Sequence, residues 1–104
     1  MSDKKQFHRV ATLTEIPPQS GQTVWVGKQA IALFNLNGKL YAIDDRCPHR
    51  GASLSLGMLA GERVLCPLHL FDFDLLTGEC GAAGGLNVAT YEVRVEGDEV
   101  FVLA

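Results

Sequence analysis

An all-β fold, an antiparallel barrel or sandwich, is predicted by three features of the sequence. Short runs of β-forming residues recur between turn residues, Asn37–Gly38 is a strong hairpin signal, and no segment supports a helix longer than one or two turns. Residues 7–11 read as the first strand. Residues 12–21 contain Pro17, Pro18, Ser20 and Gly21 and read as a loop, with one helical turn at 13–16. Residues 23–26 and 30–34 are the next strands. A type I′ turn needs positive φ at both central positions, which Asn37 and Gly38 supply. Residues 39–43 return as the partner strand, placing Leu40 and Ala42 on one face and Tyr41 and Ile43 on the other. Trp25, Phe34 and Tyr41 are expected to pack in the core.

The middle of the chain, residues 44–78, loses this regularity and reads as an insertion between strands, with short strands at 63–65 and 71–73. Residues 81–85 (GAAGG) form a turned connection. Alternation resumes at 90–95, where Tyr91, Val93 and Val95 share a face. Gly97–Asp98 turns the chain and 99–103 closes it. An irregular insertion on a strand scaffold is where chemistry is presented.

Composition narrows the function. The 104 residues suit one domain, 1–104, and 47% apolar with 20% charged content is ordinary globular usage. A formal charge of −3 gives no reason to expect a nucleic-acid partner. No apolar run has the length of a membrane span. The start, MSDKKQFHRV, lacks an export signal, so a cytoplasmic location is expected. In a reducing compartment three cysteines point to metal binding or catalysis rather than to a disulfide framework.

The insertion holds Cys47-Pro48-His49 and Cys66-Pro67-Leu68-His69, that is, Cys-x-His, 16 residues, then Cys-x-x-His. Two thiolates and two imidazoles suit zinc, copper or an iron–sulfur cluster. Zinc modules usually open with Cys-x₂₋₄-Cys, and a copper site wants an axial methionine, for which Met58 is poorly placed. A [2Fe–2S] centre with two Cys on one iron and two His on the other takes this donor set directly. The bland alternative is two buried cysteines and two incidental histidines. Two such pairs, each Cys followed by Pro, argue against coincidence.

The stretch CPHRGASLSLGMLAGERVLCPLH, residues 47–69, resembles the signature of the Rieske [2Fe–2S] family, and LYAID (40–44), FDFDLLTG (71–78) and YEVRV (91–95) fit as flanks. The resemblance covers nearly the whole chain. It implies an antiparallel base of two sheets topped by a two-loop cluster-binding subdomain. It also implies that Cys47 and Cys66 ligate one iron of a [2Fe–2S] cluster, and His49 and His69 the other. The expected role is one-electron transfer. No nucleophile–base pair or second metal site is evident, so no residue is assigned to bond-making catalysis.

Within the family the chain most resembles the small subunit of assimilatory NAD(P)H nitrite reductase. Leu70 follows His69 where ferredoxins usually have Gly, no proline follows Pro67, and AIALFN (30–35) fits that group. The partner would then be the large subunit. The alternative is a ferredoxin linking a flavin reductase to a ring-hydroxylating dioxygenase, and a third is a zinc-stabilised interaction module. Cys80 reads as a structural thiol and His8 as a surface residue. Asp44, Asp45, Asp72 and Asp74 form either an acidic docking face or a solvated edge. Arg50 is a docking residue or a plain loop arginine, and Leu68 and Leu70 form a contact patch or pack within their loop.

Neutral imidazoles in place of two thiolates leave a cluster less negative and easier to reduce. High-potential relatives add a disulfide between the loops, where this chain has Ala52 and Leu68, and hydroxyl donors where it has Phe71 and Phe73. A redox titration is therefore expected to give a midpoint toward the low end of about −150 to +300 mV. The midpoint should fall at alkaline pH, because oxidation favours proton loss from the outer imidazole nitrogens. A midpoint near the top of that range would contradict this.

Overall fold

The structure is a computed structural model and describes residues 5–48, 51–67, 71–81 and 86–104. Its described residues form ten strands and two short 3₁₀ turns. The strands are β1 (Phe7–Thr12), β2 (Ser20–Val26), β3 (Gln29–Leu36), β4 (Lys39–Asp44), β5 (Met58–Ala60), β6 (Arg63–Leu65), β7 (Asp72–Asp74), β8 (Thr90–Tyr91), β9 (Val93–Glu96) and β10 (Glu99–Leu103). They make three antiparallel sheets, ordered β1-β10-β9, β2-β3-β4-β8 and β5-β6-β7.

The four-stranded sheet lies in the middle, and both of its faces are buried. Ile31, Leu33 and Ala42 pack with Val100, Val102, Val24 and Ile16 in one cluster. Ala32, Phe34, Tyr41 and Ile43 pack with Val64, Phe73, Leu54 and both cysteines of the insertion in the other. Burial on both faces explains why residues 30–34 are a continuous apolar run rather than an alternating one. The expected division of β4 holds, with Ala42 in the first cluster and Tyr41 and Ile43 in the second.

The turn at Asn37–Gly38 has φ of 56° and 97°, as a type I′ turn requires. Buried Asn35 secures it by accepting from the Gly38 N–H (2.7 Å) and donating to the Ile16 carbonyl (2.7 Å). The loop expected over 12–21 is shorter than its composition suggests, because Ser20 and Gly21 already pair with Asn35 and Phe34. A Cβ at Gly21 would lie 2.6 Å from the Phe34 ring, so only glycine lets the edge strand approach there.

The strand expected over 90–95 is two strands. β8 pairs with β4 and β9 with β10, and the chain changes sheets at Glu92, whose carbonyl accepts from Leu103 N–H (2.9 Å). Tyr91 anchors the crossing by donating to Asp44 (2.6 Å) and accepting from the Gln29 amide. Burial first, and then the bond to Asp44, raise the Tyr91 pKa well above the ordinary range, so the hydroxyl remains a donor. The insertion is more regular than its sequence suggests, because β5, β6 and β7 form a sheet of their own. No helix among the described residues is long and apolar enough to cross a membrane.

Candidate metal centre

Each cysteine pair begins at the top of a hairpin. In the first, the Asp45 carbonyl accepts from Leu54 N–H (2.6 Å), Arg46 bridges Ser53, and Cys47 N–H donates to the Ala52 carbonyl (2.8 Å). Gly51, at φ 73°, returns its N–H to the Cys47 carbonyl (2.7 Å). In the second hairpin, β6 pairs with β7, and Cys66 N–H donates to the Phe71 carbonyl (2.8 Å). The two hairpins therefore close in the same way, with the cysteine N–H bonded to the carbonyl five residues on. Four residues lie between in each: 48–51, which include His49, and 67–70, which include His69. Both histidines, and with them Arg50, Leu68 and Leu70, lie outside the described residues.

Both cysteines are buried, at 1% and 3% exposure, and both belong to the same core cluster. Pro48 and Pro67, the next residues, are exposed. Each loop thus passes from core to surface in one residue step, and each proline has no N–H needing a partner there. The three cysteines form no disulfide. Two soft thiol donors brought into one apolar cluster, each followed in sequence by a histidine, are a donor set that would fit an iron–sulfur cluster.

The first hairpin is pinned to the central sheet by a polar network. Asp45, only 6% exposed, accepts from Ser53 Oγ (2.6 Å), Ser55 N–H (2.9 Å) and Thr23 Oγ1 (3.3 Å), and the Thr23 and Ser55 hydroxyls lie 2.6 Å apart. The second is clamped by Arg63, which bonds Asp72 (2.6 Å) and Asp74 (3.4 Å), and the Asp72 bond chiefly raises the Arg63 pKa above its ordinary value. Asp74 also accepts from Leu76 and Thr77 N–H. Asp44 accepts from Tyr91 and from Ala89 N–H (3.0 Å).

Asp45 is buried and Asp44, Asp72 and Asp74 are part-exposed, and all four act as hydrogen-bond acceptors within the fold. For Asp44, Asp45 and Asp72 the donors lie in distant strands or loops, which sequence spacing does not reveal, whereas Asp74 is also bonded by the local Leu76 and Thr77 N–H groups. Cys80 is half-buried beside the second hairpin, where it bridges Phe73. Met58 is exposed on β5.

The Rieske-like [2Fe-2S] domain family matches residues 6–103. The chain belongs to that family. This Rieske domain is 38% identical over 91 residues to the ferredoxin component of the naphthalene 1,2-dioxygenase system of Pseudomonas aeruginosa, covering 86% of this chain and 88% of the relative. The solved ferredoxin of carbazole 1,9a-dioxygenase from Nocardioides aromaticivorans IC177 superposes with a TM-score of 0.84 at 32% identity, covering 96% and 97% of the two chains. A protein assigned as the small subunit of an NADPH nitrite reductase superposes at 0.82 with 28% identity, covering 95% and 99%. The cofactor of the Rieske domain is a [2Fe–2S] cluster, and the zinc alternative falls away.

Replacing Asp45 by Ala leaves the Ser55 N–H and two hydroxyls without their acceptor, a loss of about 1–3 kcal/mol. Asp45→Ala is expected to lower the thermal midpoint and speed cluster loss, followed by the decay of visible absorption. An unchanged rate would show that the network does not hold the loop.

Proposed function

We propose that the chain is a one-electron carrier in which Cys47 and Cys66 hold one iron of the cluster and His49 and His69 the other. The observation that carries this is the matched closure of the two hairpins, which buries both thiols in one cluster beside exposed loop starts. When bound, the cluster accepts and releases a single electron. The protein's own residues supply rigidity, through the Asp45 network and the Arg63 clamp. They also exclude water from the thiolate side, through Phe34, Phe73, Leu54 and Val64.

Its redox partners are proteins. The reading supported best is a ferredoxin that receives electrons from a flavin reductase and passes them to the oxygenase of an aromatic-ring dioxygenase. The higher identities to dioxygenase ferredoxins support it. A second reading, the small subunit of a nitrite reductase, is supported by Cys66-Pro67-Leu68-His69-Leu70 and by the nitrite reductase likeness over nearly the whole of both chains.

The two differ in whether the domain diffuses. The purified holoprotein is expected to run as a monomer. It should be reduced by the NADH-dependent reductase of a naphthalene dioxygenase system and reoxidised by that system's oxygenase. Failure to relay electrons, together with co-purification at a constant ratio with a large flavin-bearing subunit, would overturn the ferredoxin reading in favour of the nitrite reductase one.

A further inference from the structure

Trp25 departs from the expectation of core packing: it is 61% exposed. The cause lies in how far the insertion reaches. Gly21, Thr23 and Trp25 share one face of the edge strand β2. The insertion covers that face at Gly21, against Ser55, and at Thr23, against Ser55 and Asp45. It ends at the level of Trp25. There an open groove of about 400 Å³ runs between Trp25, Lys28, Asp44, Arg46 and Pro48. Pro48 is the residue after Cys47, so one wall of the groove is the first ligand loop itself.

The charges in the groove are unevenly committed. Asp44 is bonded to Tyr91 and Ala89, and the Gln29 amide donates to Tyr91. Among the described residues, Lys28 and Arg46 take part in no ion pair. A chain of net charge −3 thus presents an exposed indole flanked by two uncompensated cations beside the loop that leads to its cluster. An exposed aromatic with adjacent cations is the composition of an interface anchor rather than of ordinary surface.

We propose that this groove is the docking surface for a carboxylate-bearing segment of the redox partner, with Trp25 as the apolar anchor and Lys28 and Arg46 as the charge partners. The proposal rests on the electron-carrier reading. Complementary charge at this point would steer the partner to the loop where electrons leave, against the repulsion of the protein's overall charge.

The test uses the reduced holoprotein and two small oxidants of opposite charge, ferricyanide and tris(phenanthroline)cobalt(III), in stopped flow, with hexaglutamate as the mimic of the partner segment. Oxidation by ferricyanide is expected to slow as salt is raised, although both reactants are formally negative. Lys28→Glu combined with Arg46→Gln should lower the low-salt ferricyanide rate constant by about tenfold and reverse its salt dependence. Hexaglutamate should inhibit ferricyanide oxidation of the wild type and lose that effect in the double variant. Trp25→Ala should weaken the inhibition while leaving the salt dependence in place.

Rates ordered by net charge alone, with the cobalt complex faster and ferricyanide accelerated by salt, would overturn the docking surface. So would hexaglutamate inhibition that survives in the double variant. A protein that carries no reducible iron would sink the electron-carrier reading instead, so the two failures are distinguishable.

Discussion

Two backbone hydrogen bonds, Cys47 N–H to the Ala52 carbonyl and Cys66 N–H to the Phe71 carbonyl, set the geometry on which the rest of the site depends. Each closes a hairpin at its cysteine, whose side chain is buried in the core. A loop left open at that point would carry unsatisfied backbone groups into the apolar cluster, which is costly. Each ligand loop thus starts and ends on a small ladder of the insertion.

The central sheet makes this possible by having two buried faces. Ile31 and Leu33 bind it to the terminal sheet, while Ala32, Phe34, Tyr41 and Ile43 support the insertion. Gly57 shows how closely the insertion is packed on itself: a Cβ there would lie 2.0 Å from the Leu65 carbonyl, so the chain entering β5 runs directly against β6. Polar groups follow the same logic. Asp45, Asp44, Asp72 and Asp74 are each used as acceptors that hold one strand or loop to another, and the cations near the first loop are left to face outward.

Much of this was legible in the sequence where local rules govern. Asn37–Gly38 turns as its residues demand, residues 63–65 and 99–103 are strands at the expected bounds, and the single helical turn after β1 is present as Leu13–Glu15. Donor type and spacing singled out Cys47 and Cys66 irrespective of fold, and the fold brings the two into one buried cluster. What was missed depends on distant partners. The break at Glu92 arises because one strand serves two sheets, which alternation within the segment cannot register. Trp25 looked like core because nothing local reveals that the covering insertion stops short of it. The acceptor roles of the aspartates were missed because Thr23, Tyr91 and Arg63, which engage them, are remote in sequence or in another strand.

Function here follows from placement. The thiol side is sealed by aromatic and aliphatic side chains, and the chain surfaces one residue beyond each cysteine. Such an arrangement suits a group that must stay protected from water yet exchange electrons through an exposed edge. The central claim is the mixed ligand set, two sulfurs from the core and two imidazoles from the loops. Pulsed EPR of the dithionite-reduced protein, prepared with natural and with ¹⁵N-labelled histidine, tests it most directly. The account predicts coupling to two histidine nitrogens that changes isotope with the label and is lost from one partner in His49→Ala. A reduced cluster without histidine coupling would contradict it.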